Sequence, residues 1–214
     1  MPKSDAIPGP TVRRLSLYLR QLELYRETGL RTVSSKQLGE SLQLTDAQVR
    51  KDLAVFGHLG HPGIGYRVEE MIGRIRRILG TDRVWNVALV GAGNLGRAFA
   101  SYRGFVAKGF NVAAVFDVDP SKIGTVMPGA DPVVVQPVAE LAATIGLRNI
   151  DLAILAVPMS EAQAIADECM QVGVSGILNF APMALRAAPG VTIINVDLAV
   201  HLEQLSFRVC ELRR

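Results

Sequence analysis

The chain has 214 residues, of which 49% are hydrophobic and 20% are charged, which excludes a disordered protein and suits one large or two small domains. Its net charge of +3 is uneven, with +5 on residues 1–80 and −2 on residues 81–214, so the first part is expected to face a polyanion. Apolar runs such as 152–158 are too short to span a membrane and the first ten residues lack an apolar core, so we expect a cytoplasmic protein.

Two helices are predicted at the start of the chain. Apolar residues at spacings of three and four predict the first over 11–26, and Gly29 ends it. Ser34 and Ser35 are typical helix caps and precede a short second helix over 36–41. The apolar stripe of the first helix consists of Leu15, Tyr18, Leu19, Leu22 and Tyr25.

A third helix is predicted from Thr45 to about Phe56. Thr45 and Gln48 have the spacing of a capping box, in which each side chain bonds the backbone N–H of the other residue. This helix is predicted to be buried through Val49, Leu53 and Phe56. Three short helices with a tight turn before the third indicate a helix-turn-helix.

Four polar residues lie off the apolar stripe of the third helix: Gln48, Arg50, Lys51 and Asp52. The N-terminal half of a recognition helix enters the major groove, where Gln can contact adenine, and Arg or Lys can contact guanine or phosphate. A solvated basic face without a partner is the alternative. The run 56–66 has four glycines and one proline, which suits a hairpin wing next to DNA and also an ordinary linker.

A fourth helix is predicted over 68–79 and is closed by Gly80. From residue 84 the pattern changes to strand, turn and helix, so a domain boundary is expected near 80–84. The predicted strands are 86–90, 111–116, 133–135, 151–156, 176–179 and 192–195, and the helices between them are 95–108, 138–145 and 161–172.

The strongest motif is a G-x-G-x-x-G sequence that follows the first of these strands and opens a helix. Gly91 permits a tight turn, Gly93 leaves room for a pyrophosphate, and Gly96 permits close packing of the helix. The phosphates then lie at the helix N-terminus, which favours anions. This context predicts a Rossmann-type dinucleotide site rather than an unliganded glycine turn.

The second strand of this unit ends in Asp117, which stands 21 residues after Gly96. A carboxylate at this point can accept the ribose 2′-OH and repels a 2′-phosphate. The predicted ligand is therefore NAD(H) rather than NADP(H).

A last helix is predicted from the cap residue Asp197 to Leu212. Its leucines and one valine follow spacings of 4, 3, 4 and 3, which is the pattern of a coiled-coil seam and indicates docking on a second subunit. Packing of the helix on its own sheet is the alternative. The seam consists of Leu198, Leu202, Leu205, Val209 and Leu212.

With these residues the chain resembles the Rex family of redox-sensing repressors. The resemblance covers nearly the whole chain and keeps the family's order of motifs. The matching motifs are QVRKDL at 48–53, FG-xx-G-xx-G-x-GY at 56–66, VGAGNLGRA at 90–98, FDVDP at 116–120, GILNFAP at 176–182 and NVDLxxxLExLSF at 195–207.

The resemblance implies a winged helix-turn-helix domain over 1–80, a Rossmann domain with a doubly wound parallel sheet over 81–196, and a C-terminal helix over 197–214 that is exchanged in a homodimer. It also implies that operator DNA is bound by the free or NAD⁺-loaded protein and released when NADH binds.

Individual roles follow from the same resemblance. DNA contacts fall on Gln48, Arg50, Lys51, Gly65 and Tyr66. Cofactor contacts fall on Gly91, Ala92, Gly93, Asn94, Leu95, Gly96, Tyr102, Asp117 and Asp197. The implied switch consists of Asp197 near the nicotinamide, which pairs with Tyr102 or, in the DNA-binding state, with Arg14.

One position departs from the family pattern. Pro62 replaces a basic residue of the wing, so one phosphate or minor-groove contact is expected to be missing, and His61 is a weak substitute. The nicotinamide-side position after Asp197 is Leu198, which can pack on the ring but cannot stack on it as an aromatic residue would.

The alternative function is an NAD-dependent dehydrogenase, which normally needs a positioned acid or base. After residue 80 the candidates are Lys108, Lys122, His201 and Tyr102, and none has a predicted position beside a substrate. Cys169 and Cys210 are too few for a metal or disulfide framework, so no metal is expected. The sequence therefore favours a regulator over an enzyme. A dinucleotide-binding scaffold without DNA binding remains a third possibility.

Overall fold

The computed structural model describes residues 7–55, 57, 65–129 and 131–213. The chain forms two compact units that divide between Arg83 and Val84. In the described part of the chain, no helix combines the length and the apolar character needed to cross a membrane.

The first unit packs helices around a two-stranded antiparallel ladder. In this ladder Thr32 pairs with Arg67 and Val33 pairs with Tyr66. The elements are α1 (Gly9–Glu27), β1 (Thr32–Val33), α2 (Ser35–Ser41), α3 (Asp46–Ala54), β2 (Tyr66–Arg67) and α4 (Val68–Leu79).

Caps define the helix ends of the first unit as the sequence predicts. Gly29 and Gly80 have positive φ angles after α1 and α4, and Ser34 forms a complete capping box with Gln37. The apolar stripe of α1 meets one face of α4 in a shared core. The buried members of this core are Leu15, Tyr18, Leu19, Leu22, Val33, Leu38, Val49, Leu53, Val68, Met71, Ile72 and Ile75.

Two expectations for α3 are wrong. The Thr45 hydroxyl accepts the N–H of Gln48 at 3.1 Å, but the Gln48 side chain donates to Asp52 instead of completing the capping box. Asp52, placed on the polar face by its sequence pattern, is only 2% exposed because its hydrogen-bond partners lie inside the unit. Phe56 and the segment 58–64, with its expected wing, lie outside the described residues.

In the second unit, seven described strands form one sheet in the order β5-β6-β4-β3-β7-β8-β9. All neighbours are parallel except β5, which is antiparallel to β6. Without β5 this is the strand order of a Rossmann sheet, as predicted. The strands are β3 (Trp85–Val90), β4 (Phe110–Asp117), β5 (Val126–Met127), β6 (Val133–Pro137), β7 (Leu152–Leu155), β8 (Gly176–Asn179) and β9 (Thr192–Asn195).

Apolar cores cover both faces of this sheet. Alternate residues of β3 point to opposite faces, with Ala88 and Val90 in one buried cluster and Val87 and Leu89 in another. The helices of this unit are α5 (Asn94–Ser101), α6 (Arg103–Ala107), α7 (Leu141–Leu147), α8 (Met159–Gln171) and α9 (Leu198–Leu212), with a 3-10 turn at Val138–Glu140.

The single helix predicted over 95–108 is wrong, because Tyr102 separates α5 from α6. The ψ angle of Tyr102 is 97°, which is an extended rather than a helical conformation. Its ring lies over Gly104, where an added Cβ would stand 2.5 Å from the ring. Because Gly104 has no side chain, the ring of Tyr102 has room to lie against it.

The last helix, α9, has the predicted range and the predicted cap. Asp197 accepts the N–H groups of Ala199 and Val200 at 2.9 and 3.3 Å. No described residue of α9 is buried, and Leu202 and Leu205 are 67% and 57% exposed. The alternative, in which this helix packs on its own sheet, is therefore wrong.

Candidate functional site

The glycine loop after β3 is held in a tight turn. Gly91 has a φ angle of +103°, and a Cβ there would lie 2.3 Å from the carbonyl oxygen of Ala156. A Cβ at Gly96 would lie 1.9 Å from the carbonyl oxygen of Gly91, so α5 starts directly against the loop. Both positions therefore require glycine for the fold itself.

Gly93 differs from its two neighbours in the motif. It is the N-cap residue of α5, and a Cβ at this position would meet no atom within 4 Å. Within the described residues no side chain caps this helix, so the N–H groups of its first turn are available to an anion. The absent side chain of Gly93 thus leaves open space beside these N–H groups rather than space for packing.

Asp117 at the end of β4 joins the loop to the second strand. Its Oδ2 accepts the N–H of Ala92 at 2.7 Å, and its Oδ1 accepts the N–H of Asp119 at 2.9 Å. Lys122 Nζ donates to Oδ2 at 3.1 Å. Burial alone would raise the pKa of Asp117, but these hydrogen bonds outweigh burial and lower the pKa below its usual value.

The sequence analysis considered Lys122 only as a candidate acid or base and missed its ion pairs. Its ammonium group also lies 3.4 Å from Asp119 Oδ2, and hydrogen bonding to Asp117 raises the pKa of Lys122. The close spacing in the DVDPSK segment at 117–122 was the available signal. The carboxylate proposed for ribose binding therefore carries a cation beside it.

A cleft of about 320 Å³ opens next to these groups. It lies at the carboxyl ends of β3, β4 and β7, where the chain connections leave the sheet in opposite directions. This is the topological switch point at which Rossmann sheets bind ligands. Residues of the cleft include Gly91, Gly93, Asp117, Lys122, Val157 and Glu161.

The implied nicotinamide pair lies at two distinct places in the second unit. Tyr102 stands between α5 and α6, is 59% exposed and meets the Phe105 ring edge-on at 5.1 Å between centroids. Asp197 caps α9. Among the residues predicted for the cofactor, the structure thus joins the glycine loop to Asp117 by a direct hydrogen bond. Within the described residues it records no hydrogen bond from Tyr102 or Asp197 to this loop or to Asp117.

The polar residues of α3 divide into a surface pair and an interior group. Arg50 and Lys51 are exposed, and Arg50 Nη1 donates to Asp46 Oδ2 at 2.7 Å on the same helix. Gln48 is half-buried, and its Nε2 donates to Asp52 Oδ1 at 2.9 Å. Of the four polar residues, only Arg50 and Lys51 are exposed, and Arg50 is paired with Asp46 at the surface.

Asp52 is the centre of a network that the sequence analysis missed. Arg14 donates to it through Nε at 2.5 Å and Nη2 at 2.7 Å, and Tyr18 donates its hydroxyl at 2.7 Å. Burial alone would raise the pKa of Asp52, but these bonds and the one from Gln48 lower it. Burial is the main reason that the pKa of Tyr18 is raised.

Gly65 and Tyr66 lie at the start of the return strand after the predicted wing. Gly65 has a φ angle of +86°, and a Cβ there would lie 2.6 Å from the carbonyl oxygen of Val33. Tyr66 is half-buried and packs on the core of the first unit. Here the glycine permits close pairing of the two strands of the ladder.

Comparisons with known proteins agree with the division of the chain into two units. A family model described as "Putative DNA-binding protein N-terminus" matches residues 6–54, and a "CoA binding domain" model matches residues 82–183. The redox-sensing transcriptional repressor Rex of Syntrophomonas wolfei is 44% identical over 94% of each chain. The chain belongs to the Rex family.

Solved structures of another Rex-family repressor, RSP, have the same fold. The structure of RSP with β-NAD⁺ and operator DNA matches with a TM-score of 0.91 at 36% identity, over 97% of this chain and 94% of that one. The structure of RSP with β-NADH matches with a TM-score of 0.86 at 35% identity, over 97% and 96% of the two chains. The predicted fold class and the resemblance to Rex are thereby confirmed.

Proposed function

We propose that this chain is a transcriptional repressor that senses the NADH/NAD⁺ ratio. The free or NAD⁺-loaded protein binds operator DNA, and NADH releases it. The observation that carries this proposal is the combination, in one Rex-family chain, of a third helix that exposes Arg50 and Lys51 and a glycine-loop cleft with Asp117 at its edge. RSP, a relative with the same fold, is known with operator DNA and β-NAD⁺ and with β-NADH.

The mechanism is one of linked equilibria. NADH binds one arrangement of the protein more tightly than the DNA-binding arrangement, and DNA must weaken NADH binding by the same factor. In this proposal Asp197 exchanges between Arg14 and Tyr102. Within the first unit, Asp52 holds Arg14 through its Nε and Nη2 atoms.

The DNA interface is formed by α3 and by the start of β2, through Gln48, Arg50, Lys51, Gly65 and Tyr66. We assign phosphate contacts to Arg50 and Lys51, because both side chains are exposed and the ion pair of Arg50 with Asp46 lies at the surface. Gln48 is assigned to base recognition.

Removal of either surface charge of α3 tests this assignment. Arg50→Ala and Lys51→Ala should each weaken operator binding. Each should also make the negative slope of the logarithm of the binding constant against the logarithm of the salt concentration less steep by about one unit. The measurement is a salt series of binding titrations, with Lys36→Ala on α2 as a control of equal charge change. Unchanged slopes would show that these two residues do not contact phosphate.

Asp117 sets the choice of dinucleotide in this proposal. Asp117→Asn keeps an acceptor for the N–H of Ala92 but removes the charge that repels a 2′-phosphate. The preference for NADH over NADPH should fall on the order of tenfold, whereas Lys122→Met, which leaves the carboxylate without its cation, should increase it. Direct fluorescence titrations with both nucleotides measure the ratio of the NADH affinity to the NADPH affinity. A ratio equal to that of the wild type in both variants would contradict this role.

We infer further that the protein is a cytoplasmic homodimer, joined through α9, and that it does not turn over its dinucleotide. The exposed apolar seam of α9 supports the dimer. The absence of turnover is supported by Lys122, which is paired with two carboxylates, and by His201, which contacts the carbonyl of Asp197 on α9. These groups are candidate proton donors or acceptors, and neither is poised for hydride chemistry.

A binding titration on operator DNA tests the function directly. NADH should release the DNA at lower concentration than NADPH, and NAD⁺ should leave the complex intact. Coenzyme A is the informative added ligand because a CoA-binding model matches this unit. Its ribose carries a 3′-phosphate, which Asp117 should repel, so it should have no effect. Release by coenzyme A but not by NADH would overturn the proposal.

A further inference from the structure

Among the described residues, two carboxylates are almost completely buried: Asp117 beside the cleft and Asp52 on α3. A buried carboxylate costs free energy unless its charge is paired and its oxygens are hydrogen-bonded. Asp52 does not line the cleft beside Asp117, whose lining residues all belong to the second unit. Its burial therefore requires a separate reason.

The four hydrogen bonds to Asp52 use its whole capacity as an acceptor. Oδ2 accepts from Arg14 Nε at 2.5 Å and from the Tyr18 hydroxyl at 2.7 Å. Oδ1 accepts from Arg14 Nη2 at 2.7 Å and from Gln48 Nε2 at 2.9 Å. An ionised carboxylate offers about four lone-pair sites, and all of them are occupied here. The carboxylate is thus fixed from α1, and it fixes Gln48 one helical turn away on α3.

The bond to Asp52 determines which end of the Gln48 amide is the donor. A solvent-exposed glutamine can rotate its amide, so that oxygen and nitrogen exchange places. With Nε2 held by Asp52, one N–H and the oxygen Oε1 remain for a ligand in one defined orientation. Bidentate recognition of adenine uses one such N–H and oxygen, and a side chain that is already ordered loses less entropy on binding.

We propose that Asp52 is a positioning residue for base recognition, which orients the amide of Gln48 on α3 and is itself held in place by Arg14 and Tyr18. This inference deepens the proposed function and rests on its DNA-binding part. It predicts a dependence of one base preference on a residue that itself faces away from DNA, inside the first unit.

Selection of binding sites from a pool of randomised double-stranded DNA tests this inference with the full-length protein. The wild type, Gln48→Ala and Asp52→Asn are each used to select and sequence bound duplexes. Gln48→Ala identifies the base pair that Gln48 reads, as the position at which the preference is lost. Asp52→Asn should lose the preference at that same base pair, by about tenfold or more, and keep the preferences elsewhere and the salt slope.

The matched control is Glu23→Gln. Glu23 pairs with Arg76 at 2.8 Å between α1 and α4, so the control alters a charged contact at another place in the same unit. It should leave all base preferences unchanged. Tyr18→Phe removes one of the four bonds to Asp52 and should weaken the same single preference; it replaces Asp52→Asn if circular dichroism shows that variant unfolded.

The outcomes separate this inference from the proposed function. Equal weakening at every base pair, or an intact preference at the Gln48 base pair, would overturn the positioning role alone. Wild-type protein that selected no sequence would overturn the DNA-binding proposal and this inference together. Loss confined to the Gln48 base pair supports both.

Discussion

Gly93→Ala should abolish the response to NADH while the protein remains folded and bound to operator DNA. A Cβ at Gly93 meets no atom within 4 Å in this structure, so the substitution has no steric reason to disturb the loop. It occupies the space through which a pyrophosphate would approach the first N–H groups of α5. Loss of two charge-assisted hydrogen bonds, at about 1.5–3 kcal/mol each, weakens NADH binding by roughly 100-fold or more.

Two comparisons make the Gly93 result specific. Gly146→Ala makes the same change at a site in α7 that is equally open, and it should bind NADH as the wild type does. Gly96→Ala should lose both NADH binding and thermal stability, because its Cβ would overlap the carbonyl oxygen of Gly91. Fluorescence titration with NADH and thermal unfolding measure the two effects. Wild-type NADH affinity in folded Gly93→Ala would remove Gly93 from the phosphate site.

Local signals in the sequence were sufficient for most of the fold. The fourth helix, α4, has the predicted bounds because Gly80 stops it with a left-handed conformation, which a glycine adopts without strain. The G-x-G-x-x-G loop and Asp117 were predicted together, because strand, loop and helix follow one another directly in the chain. Such features depend on neighbours within a few residues.

The errors arise where distant residues decide the structure. Asp52 was predicted on a polar face, but its partner Arg14 stands 38 residues earlier and draws the carboxylate inside. Gln48 then bonds Asp52 instead of completing its capping box. The strand β5 was missed because two residues at a sheet edge carry too little hydrophobic pattern to be recognised. Side-chain pairing across a fold is not visible in periodicity along one helix.

Leu205→Asp should convert the proposed dimer into monomers and lower the affinity for operator DNA by about 100-fold or more. Leu205 is 57% exposed in the single chain and stands in the middle of the seam of α9. An apolar residue of this kind gains about 1.5–3 kcal/mol when buried, and a carboxylate in its place would face the partner's leucines without a counter-charge. Two DNA-binding units on one dimer bind together, and this advantage amounts to about 10²–10⁴ in affinity.

The control for this prediction is Gln204→Asp, which introduces the same residue at the neighbouring position of the same helix, off the seam. It carries the same helix propensity and the same charge, so a change restricted to Leu205→Asp reports the seam and not the stability of α9. Sedimentation measures the assembly, and titration measures DNA binding. A dimeric Leu205→Asp protein would show that α9 is not the contact between subunits. A monomer with undiminished operator affinity would instead show that one DNA-binding unit suffices, because the linked binding of two units would then contribute nothing.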